Sequence, residues 1–181
     1  MTTNYHKKFC LLCNKCNCLS DQSVSVFYNN AETSKDFYME FSNDYYCKIC
    51  KEITYQFDIE PGIAKSVRLL RIHGYDTVYS CEGHSKVIYE NGTYTHDTSY
   101  PYICFMEKEL PKCTKQILKA HGWNINTLND VMLRLYYTMD EYETSNIQEY
   151  VNYHNDKFAE ADKELFNALL EIFIDHDTGD D

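Results

Sequence analysis

Residues 10–18, CLLCNKCNC, and residues 47–50, CKIC, contain the paired cysteines that decide how the N-terminal part of this chain folds. Two thiolates separated by two residues can bind one ion from a single turn, and two such pairs complete the tetrahedral shell that zinc prefers. The segment between the pairs is long enough for a β-hairpin to bring them together. We therefore predict a structural zinc site formed by Cys10, Cys13, Cys47 and Cys50.

Cys16 and Cys18 leave a second interpretation of the first pair open. Cys13 and Cys16 also have the spacing of a metal-binding pair, and Cys16 with Cys18 could serve another ion. The favoured interpretation is that one or both are spare thiols. A site with four thiolate ligands has no open position for a substrate, so the predicted zinc stabilises the fold and does not by itself indicate an enzyme.

The composition favours one compact domain, or a small domain with a metal module. The 181 residues are 44% hydrophobic and include 17 tyrosines and 9 phenylalanines, enough to form a core. The formal net charge of −11 argues against coating of extended duplex nucleic acid, because phosphate binding needs clustered Lys and Arg. We expect no signal peptide and no membrane span, and nine cysteines suit metal ligands or free thiols in the cytoplasm.

The hydrophobic pattern predicts an α+β fold, in which an N-terminal zinc ribbon with four cysteine ligands joins a mixed or antiparallel sheet flanked by helices. Predicted strands cover residues 23–28, 37–46, 52–59, 76–80, 102–106 and 131–138, and Asn91-Gly92 predicts a hairpin over 87–95. Predicted helices run from Pro61 to His73, over 112–121, and from about residue 147 along a continuous apolar stripe. That last stripe either covers the sheet or pairs with its copy in a homodimer.

The predicted organisation has three parts. A zinc-ribbon module covers residues 1–58, an α+β domain covers 59–175, and an acidic tail covers 176–181. The α+β domain contains the loop at residues 80–84, which is the second chemical feature of the chain.

The loop at residues 80–84 concentrates polar and reactive groups after a predicted strand: Ser80, Cys81, Glu82, Gly83 and His84. Functional groups often lie at strand ends, and Gly83 allows positive φ or close approach of a ligand. We predict that this loop binds a small anionic ligand, phosphorylated or nucleotide-like, through backbone N–H groups, Ser80 and His84. Arg71, on the helix that precedes the strand, is a further candidate ligand-binding residue.

Other interpretations of this loop stay open. Cys81 and His84 could ligate a second metal, with His73 or His96 nearby and Glu82 as base, in a metal-dependent hydrolase or nucleic-acid-modifying enzyme. Cys81 could instead be a nucleophile with His84 as its base. In a third interpretation, Cys81 is a buried thiol and His84 an ordinary loop histidine. A protein-interaction adaptor is a further alternative, but a non-enzymatic binding protein is the favoured function.

The sequence GYDTVYSCEGH at residues 74–84, followed by YPYICF at 100–105, resembles a set of small proteins of bacteriophage and Firmicute genomes. In that set a helix precedes a Gly-Tyr-x-Thr strand, a Cys-x-Gly-His turn and a Tyr-Ile-x-Phe strand. Trp123 and the pair Leu133-Arg134 match, in order, the Trp and the Leu-Arg strand that often follow.

The resemblance implies a common fold and a shared pocket near Cys81, Gly83 and His84. A phage origin would place the protein in the host cytoplasm, where it could sequester a host signalling nucleotide. The Ser-Cys-x-Gly turn is also similar to that of the small tRNA wybutosine-synthesis proteins, which carry Ser-Cys-Ser-Gly-Arg there. At the position of that arginine this chain has His84.

Overall fold

The computed structural model describes residues 10–20, 46–47, 49–53, 56–90, 93–107, 109–140, 142 and 144–177. Over these residues the chain is α+β, with three helices and an antiparallel four-stranded sheet, which confirms the predicted fold class. The strand predicted over 23–28, nearly all of the one predicted over 37–46, and the end of the acidic tail lie outside the described residues.

Strands and helices are numbered in chain order within the described residues. The strands are β1 Cys10–Cys13, β2 Leu19–Ser20, β3 Tyr46–Cys47, β4 Glu52–Ile53, β5 Gln56–Ile59, β6 Thr77–Cys81, β7 His84–Glu90, β8 Thr93–Ser99, β9 Tyr102–Phe105, β10 Trp123–Asn129 and β11 Met132–Tyr137. The helices are α1 Ala64–Ile72, α2 Lys112–Ala120 and α3 Ile147–Asp177.

The main sheet has the order β10-β11-β9-β6, and every neighbouring pair is antiparallel. Strand β9 lies inside the sheet, and Ile103, Cys104 and Phe105 are all buried. A strand covered on both faces needs apolar residues at consecutive positions, which explains why this run lacks polar alternation. Strand β6 forms one edge of the sheet and leads directly into the 80–84 loop.

Helix α3 covers the sheet along the apolar stripe predicted from the sequence. Its buried positions recur every three or four residues, and Ala161, Leu165 and Leu169 belong to the same core cluster as Phe105 and Trp123. The indole Nε1 of Trp123 donates a hydrogen bond to the Ala161 carbonyl at 3.0 Å. Covering the sheet is therefore the role that this stripe has within the chain.

The helix ends show why the elements stop where they do. Asn146 caps α3, because its Oδ1 accepts the backbone N–H groups of Gln148 and Glu149 at 3.0 and 3.3 Å. Gly74 follows α1 with a φ of +86°, a conformation that ends a helix and that glycine adopts without strain. The predicted stop at this position is confirmed.

The N-terminal strands are continuous with the rest of the fold. Strands β2, β1 and β5 form a small antiparallel sheet, and Leu12 and Ile59 are buried in the main core. The boundary predicted after residue 58 falls within β5, and the division into modules stays a prediction. In the part of the chain that is described, no helix combines the length and apolar character that crossing a bilayer requires.

The hairpin predicted over residues 87–95 is longer in the structure. Strands β7 and β8 pair over seven positions, from His84 with Ser99 to Glu90 with Thr93. The predicted turn residues, 91 and 92, lie outside the described residues. This hairpin forms its own two-stranded sheet and packs against α3, so the 80–84 loop lies between the edge of the main sheet and the hairpin.

Candidate metal centres

Two turns of the same construction follow strands β1 and β3. Cys13 ends β1 and Cys47 ends β3, and in each turn the residue four positions later donates its amide to the cysteine carbonyl. Asn17 donates to Cys13 at 2.9 Å and Lys51 donates to Cys47 at 2.7 Å. Both donors have positive φ, 54° and 58° respectively. Each turn therefore folds back and brings its first and fourth residues, which are all cysteines, to one side.

The four sulfur atoms of these turns lie within 4.8 Å of one another: Cys13, Cys16, Cys47 and Cys50. Sγ of Cys13 is 3.9 Å from Sγ of Cys50, and Sγ of Cys16 is 3.6 Å from Sγ of Cys47. A tetrahedral shell with Zn–S bonds of about 2.3 Å places its sulfur atoms about 3.8 Å apart. The cluster thus has the size and ligand type that a four-coordinate zinc ion needs.

Cys16 takes the place that was predicted for Cys10. Cys10 and Cys13 both belong to β1, and side chains three residues apart in a strand point to opposite faces. Cys10 packs with Leu12 on the hydrophobic core, while Cys13 faces the second turn. The pair that shares a turn is therefore Cys13 with Cys16, and Cys18 lies outside the group. Both predicted cysteines of the second turn belong to the cluster.

The thiol of Cys50 is harder to ionise than an ordinary thiol when no cation is bound. The hydrogen bond with Cys16 is the main cause that raises the pKa of the Cys50 thiol, and burial and the other thiols add to it. A divalent ion reverses this balance, because it binds thiolates and releases their protons.

Two arginines of α1 hold the first turn against the helix. Nε of Arg68 donates to the Asn17 carbonyl at 2.9 Å, and Nε of Arg71 donates to Asn17 Oδ1 at 3.4 Å. Four thiolates around a divalent ion carry a net charge of about −2, so these guanidinium groups also place compensating charge beside the cluster.

Arg71 was predicted to bind a ligand at the 80–84 loop, but its guanidinium group is engaged at the opposite end of β6. Its Nη1 donates to the Thr77 carbonyl at 3.2 Å and to Asp76 Oδ1 at 3.4 Å, at the start of that strand. The loop follows the other end of β6, about 13 Å away along an extended strand. Arg71 therefore joins the first cysteine turn to β6.

A second group of metal-ligating side chains forms at the 80–84 loop: Glu60, Cys81 and His84. Their ligand atoms lie within 4.8 Å of one another. Glu60 lies between β5 and α1, Cys81 ends β6, and His84 begins β7. Nε2 of His84 is 2.7 Å from Oε1 of Glu60. Cys81 and His84 are together as the second-metal interpretation required, and the carboxylate that joins them is Glu60.

Glu82, the predicted base, has a different role in the structure. Its Oε2 accepts the Gly62 amide at 2.6 Å, while its own amide donates to Oε2 of Glu60 at 2.7 Å. Each glutamate thus accepts one backbone amide from the other's segment, and the two hydrogen bonds join the residues before α1 to the 80–84 loop. We call this pair of hydrogen bonds the latch. The latch turns the Glu82 carboxylate toward Gly62 and holds the Glu60 carboxylate at the cluster.

The pKa of His84 lies well above the usual value for a histidine. Hydrogen bonds with Cys81 and then with Glu60 raise the pKa of His84 to about 10, although burial opposes the shift. The side chain of His84 is 38% exposed, whereas Glu60 and Cys81 are buried. The imidazole is therefore the part of the cluster that contacts solvent.

The remaining predicted residues of this loop lie outside the cluster. Ser80 is half-buried and pairs with Ile103 in the main sheet. The ring of His73 stacks on Phe173 with centroids 3.7 Å apart, away from Cys81. The side chain of His96 lies outside the described side chains. His73 is therefore not among the three residues that the structure brings together.

A groove of about 330 Å³ lies beside the loop, lined by Gly62, Glu82, Gly83, Asn155, Phe158, Ala159 and Asp162. Gly83 has a φ of +92°, and a Cβ atom there would lie 2.6 Å from Cδ1 of Phe158. The predicted positive φ is confirmed, and the close neighbour of Gly83 is the Phe158 ring. Burial raises the pKa of Asp162 to about 6, and its hydrogen bond from Ser66 Oγ at 3.2 Å opposes the shift.

Comparison with family models, with curated proteins and with solved structures gives no match to this chain.

Proposed function

We propose that this chain is a zinc-stabilised binding protein that takes a small ligand in the groove beside residues 80–84. The observation that carries the proposal is the groove of about 330 Å³, because its volume suits a small molecule. It lies between a loop and a long helix, and the four-cysteine cluster supplies the support for the N-terminal strands. A closed zinc site stabilises such a scaffold without taking part in binding.

The charges of the groove decide which form of ligand it suits. Glu82 and Asp162 both line it, and Glu82 is close enough to contribute to the raised pKa of Asp162. Two neighbouring carboxylates repel a bare phosphate but favour a divalent cation. The predicted phosphorylated or nucleotide-like ligand would therefore enter as its magnesium complex, with the carboxylates directed at the ion and its waters.

Native mass spectrometry of protein purified from cells tests the proposal first. We expect one zinc ion retained at the four cysteines, and it would also report any bound small molecule and the oligomeric state. Isothermal titration with ATP and with GTP, each with and without Mg²⁺, then tests the ligand class. We expect binding only with Mg²⁺, weakened about tenfold or more in Asp162→Asn, which corresponds to about 1.4 kcal/mol.

Asp156→Asn is the matched control, because Asp156 is an exposed carboxylate of the same helix that does not line the groove. Equal loss in both variants, or no heat with any nucleotide, would contradict the nucleotide proposal. The sequestration of a host nucleotide, predicted from the resemblance to phage proteins, depends on the same titration.

A metal-dependent hydrolase is the second candidate function, and one observation favours it. Glu60, Cys81 and His84 supply three different metal ligands in one place, which is the number that catalytic zinc sites use. This candidate requires a second metal ion in addition to the one at the four cysteines.

A further inference from the structure

The geometry points to a second metal site: we propose that Glu60, Cys81 and His84 bind a divalent transition-metal ion, zinc by preference, with one coordination position open. The inference does not depend on a ligand in the groove. It rests on the positions of three side chains from three separate parts of the chain: the start of the segment between β5 and α1, the end of β6 and the start of β7.

The ligand types and their spacing suit zinc. Thiolate, imidazole and carboxylate are the three protein groups that zinc binds, at about 2.0–2.3 Å. A tetrahedral shell of these groups places its ligand atoms about 3.2–3.7 Å apart. The atoms of the cluster lie within 4.8 Å, and the closest pair, His84 with Glu60, is at 2.7 Å. An ion would replace the proton shared by that pair and move the two groups apart by less than about 1 Å.

Backbone amides already hold the two acidic ligands in place. The Glu82 amide donates to Oε2 of Glu60, which leaves Oε1 directed at the histidine. The Gly83 amide lies 3.4 Å from Sγ of Cys81 as a donor. The four-cysteine cluster has the same kind of contact, since the Cys50 amide donates to Cys47 Sγ at 3.4 Å. Hydrogen bonds of this kind orient metal ligands and are part of most metal sites.

The charge balance also favours an ion. One thiolate, one carboxylate and one neutral imidazole around a divalent cation give a net charge near zero, which a site with two buried ligands can accommodate. The four-cysteine cluster differs in this respect, because its complex is anionic and two arginines contact its first turn.

Three protein ligands leave one tetrahedral position for water or another small donor. The exposed part of the His84 ring gives solvent a route to that position. The second ion would therefore be open to exchange and to small ligands, in contrast to the closed ion at the four cysteines.

Metal counting tests the site. Purified protein is incubated with excess zinc, desalted and examined by native mass spectrometry, and we expect two ions per chain. Cys81→Ser and Glu60→Gln should each retain one. The matched control Cys113→Ser, which removes an exposed thiol outside both clusters, should retain two.

Cobalt gives a spectroscopic signal that reports a bond between the ion and a sulfur ligand. Added to protein that carries one zinc ion, Co²⁺ should give a sulfur-to-cobalt charge-transfer band in the near ultraviolet, with visible bands of tetrahedral strength. The band should vanish in Cys81→Ser and persist in Cys113→Ser. His84→Gln, which keeps both acidic ligands, should weaken cobalt binding at least about tenfold, the effect of about 1.4 kcal/mol.

Three results would overturn the proposal. The first is a wild-type chain that holds one ion after exposure to excess zinc. The second is a second ion that survives Cys81→Ser or is lost equally in Cys113→Ser. The third is rapid alkylation of Cys81 by iodoacetamide that excess zinc does not slow, which would indicate a nucleophilic thiol instead of a ligand. Retention of the first zinc ion together with an unchanged circular-dichroism spectrum shows that each variant is folded.

Discussion

The four-cysteine cluster and the Glu60–Cys81–His84 cluster place metal-ligating groups together in different ways. The first uses four identical ligands on two turns of identical construction, and no ligand position stays open once an ion is bound. The second uses three different ligands from three elements, joined by a latch between two glutamates. The four-cysteine (closed) cluster is thus built from local turns, whereas the Glu60–Cys81–His84 (open) cluster depends on how distant elements pack.

The largest expected effect concerns the closed cluster. Cys16→Ser should lose the zinc ion and lower the free energy of unfolding by on the order of 4 kcal/mol or more, because loss of a structural metal is among the most destabilising changes. Chemical denaturation with parallel zinc analysis measures both quantities. Cys18→Ser, two residues away and outside the cluster, should cost less than about 1 kcal/mol and keep the ion.

Cys10→Ser distinguishes the observed cluster from the one predicted from the sequence. Cys10 packs on the core, so we expect a loss of about 1–2 kcal/mol for burial of a hydroxyl, with the zinc ion retained. Loss of the ion in this variant, with retention in Cys16→Ser, would restore Cys10 to the ligand set.

The next effect concerns the loop of the open cluster. Gly83→Ala should destabilise the fold by about 3 kcal/mol, because the new Cβ combines positive φ with a clash against Phe158. Gly74→Ala is the control: it has a similar φ of +86° but nothing within 4 Å of the new Cβ, so we expect about 1 kcal/mol. Equal losses by chemical denaturation would show that Phe158 does not confine the loop.

A smaller effect should separate the two arginines beside the closed cluster. Arg71 is 13% exposed and joins Asn17 to Thr77, so Arg71→Ala should cost about 2 kcal/mol through unsatisfied acceptors. Arg68 is exposed, and Arg68→Ala should cost less than about 1 kcal/mol. Thermal denaturation of zinc-loaded protein measures the difference. A larger loss for Arg68 would contradict this assignment.

The smallest effect concerns the acidic groove beside the open cluster. The pKa of Asp162 is raised from 3.8 to about 6, so the stability that the protonated group contributes is fully present below about 3.8 and is lost as pH rises through about 6. Asp162→Asn keeps the oxygen that accepts from Ser66 and should be more stable than wild type at neutral pH. After allowance for solvent screening we expect on the order of 1 kcal/mol.

Urea denaturation of Asp162→Asn and wild type at about pH 4 and about pH 7 measures this difference, which should grow with pH. Asp156→Asn, an exposed change on the same helix, should show no such trend. A constant difference across this range would mean that Asp162 is well solvated in the folded protein.

Much of the fold could be predicted because it depends on local signals. The apolar stripe of α3, the glycine after α1 and the continuous apolar run of β9 each correspond to an observed element. Strand β10, Trp123–Asn129, was not predicted, since it carries three asparagines, a residue type that is depleted in strands. Pairing with β11 and burial of Trp123 override that local preference.

The candidate sites could be predicted only as far as they depend on local signals. Spacing alone located both cysteine turns, but the choice between Cys10 and Cys16 depended on where β1 ends, and strand boundaries are weakly encoded. No sequence pattern marked Glu60 as a metal ligand. It lies 21 positions before Cys81, and only the packing of α1 against β6 brings the two residues together. Its place directly before Pro61 marked a helix start and nothing more.

Helix α1 has one further consequence for the molecule. Its first turn follows Glu60, and its last turns carry Arg68 and Arg71, which bind the first cysteine turn. The nine residues span about 14 Å as one stiff rod. Because the helix is stiff, we expect a shift at the cysteine end to be transmitted to the segment that carries Glu60. By thermodynamic reciprocity, we expect ion binding at the four-cysteine cluster and ion binding at Glu60 to favour each other.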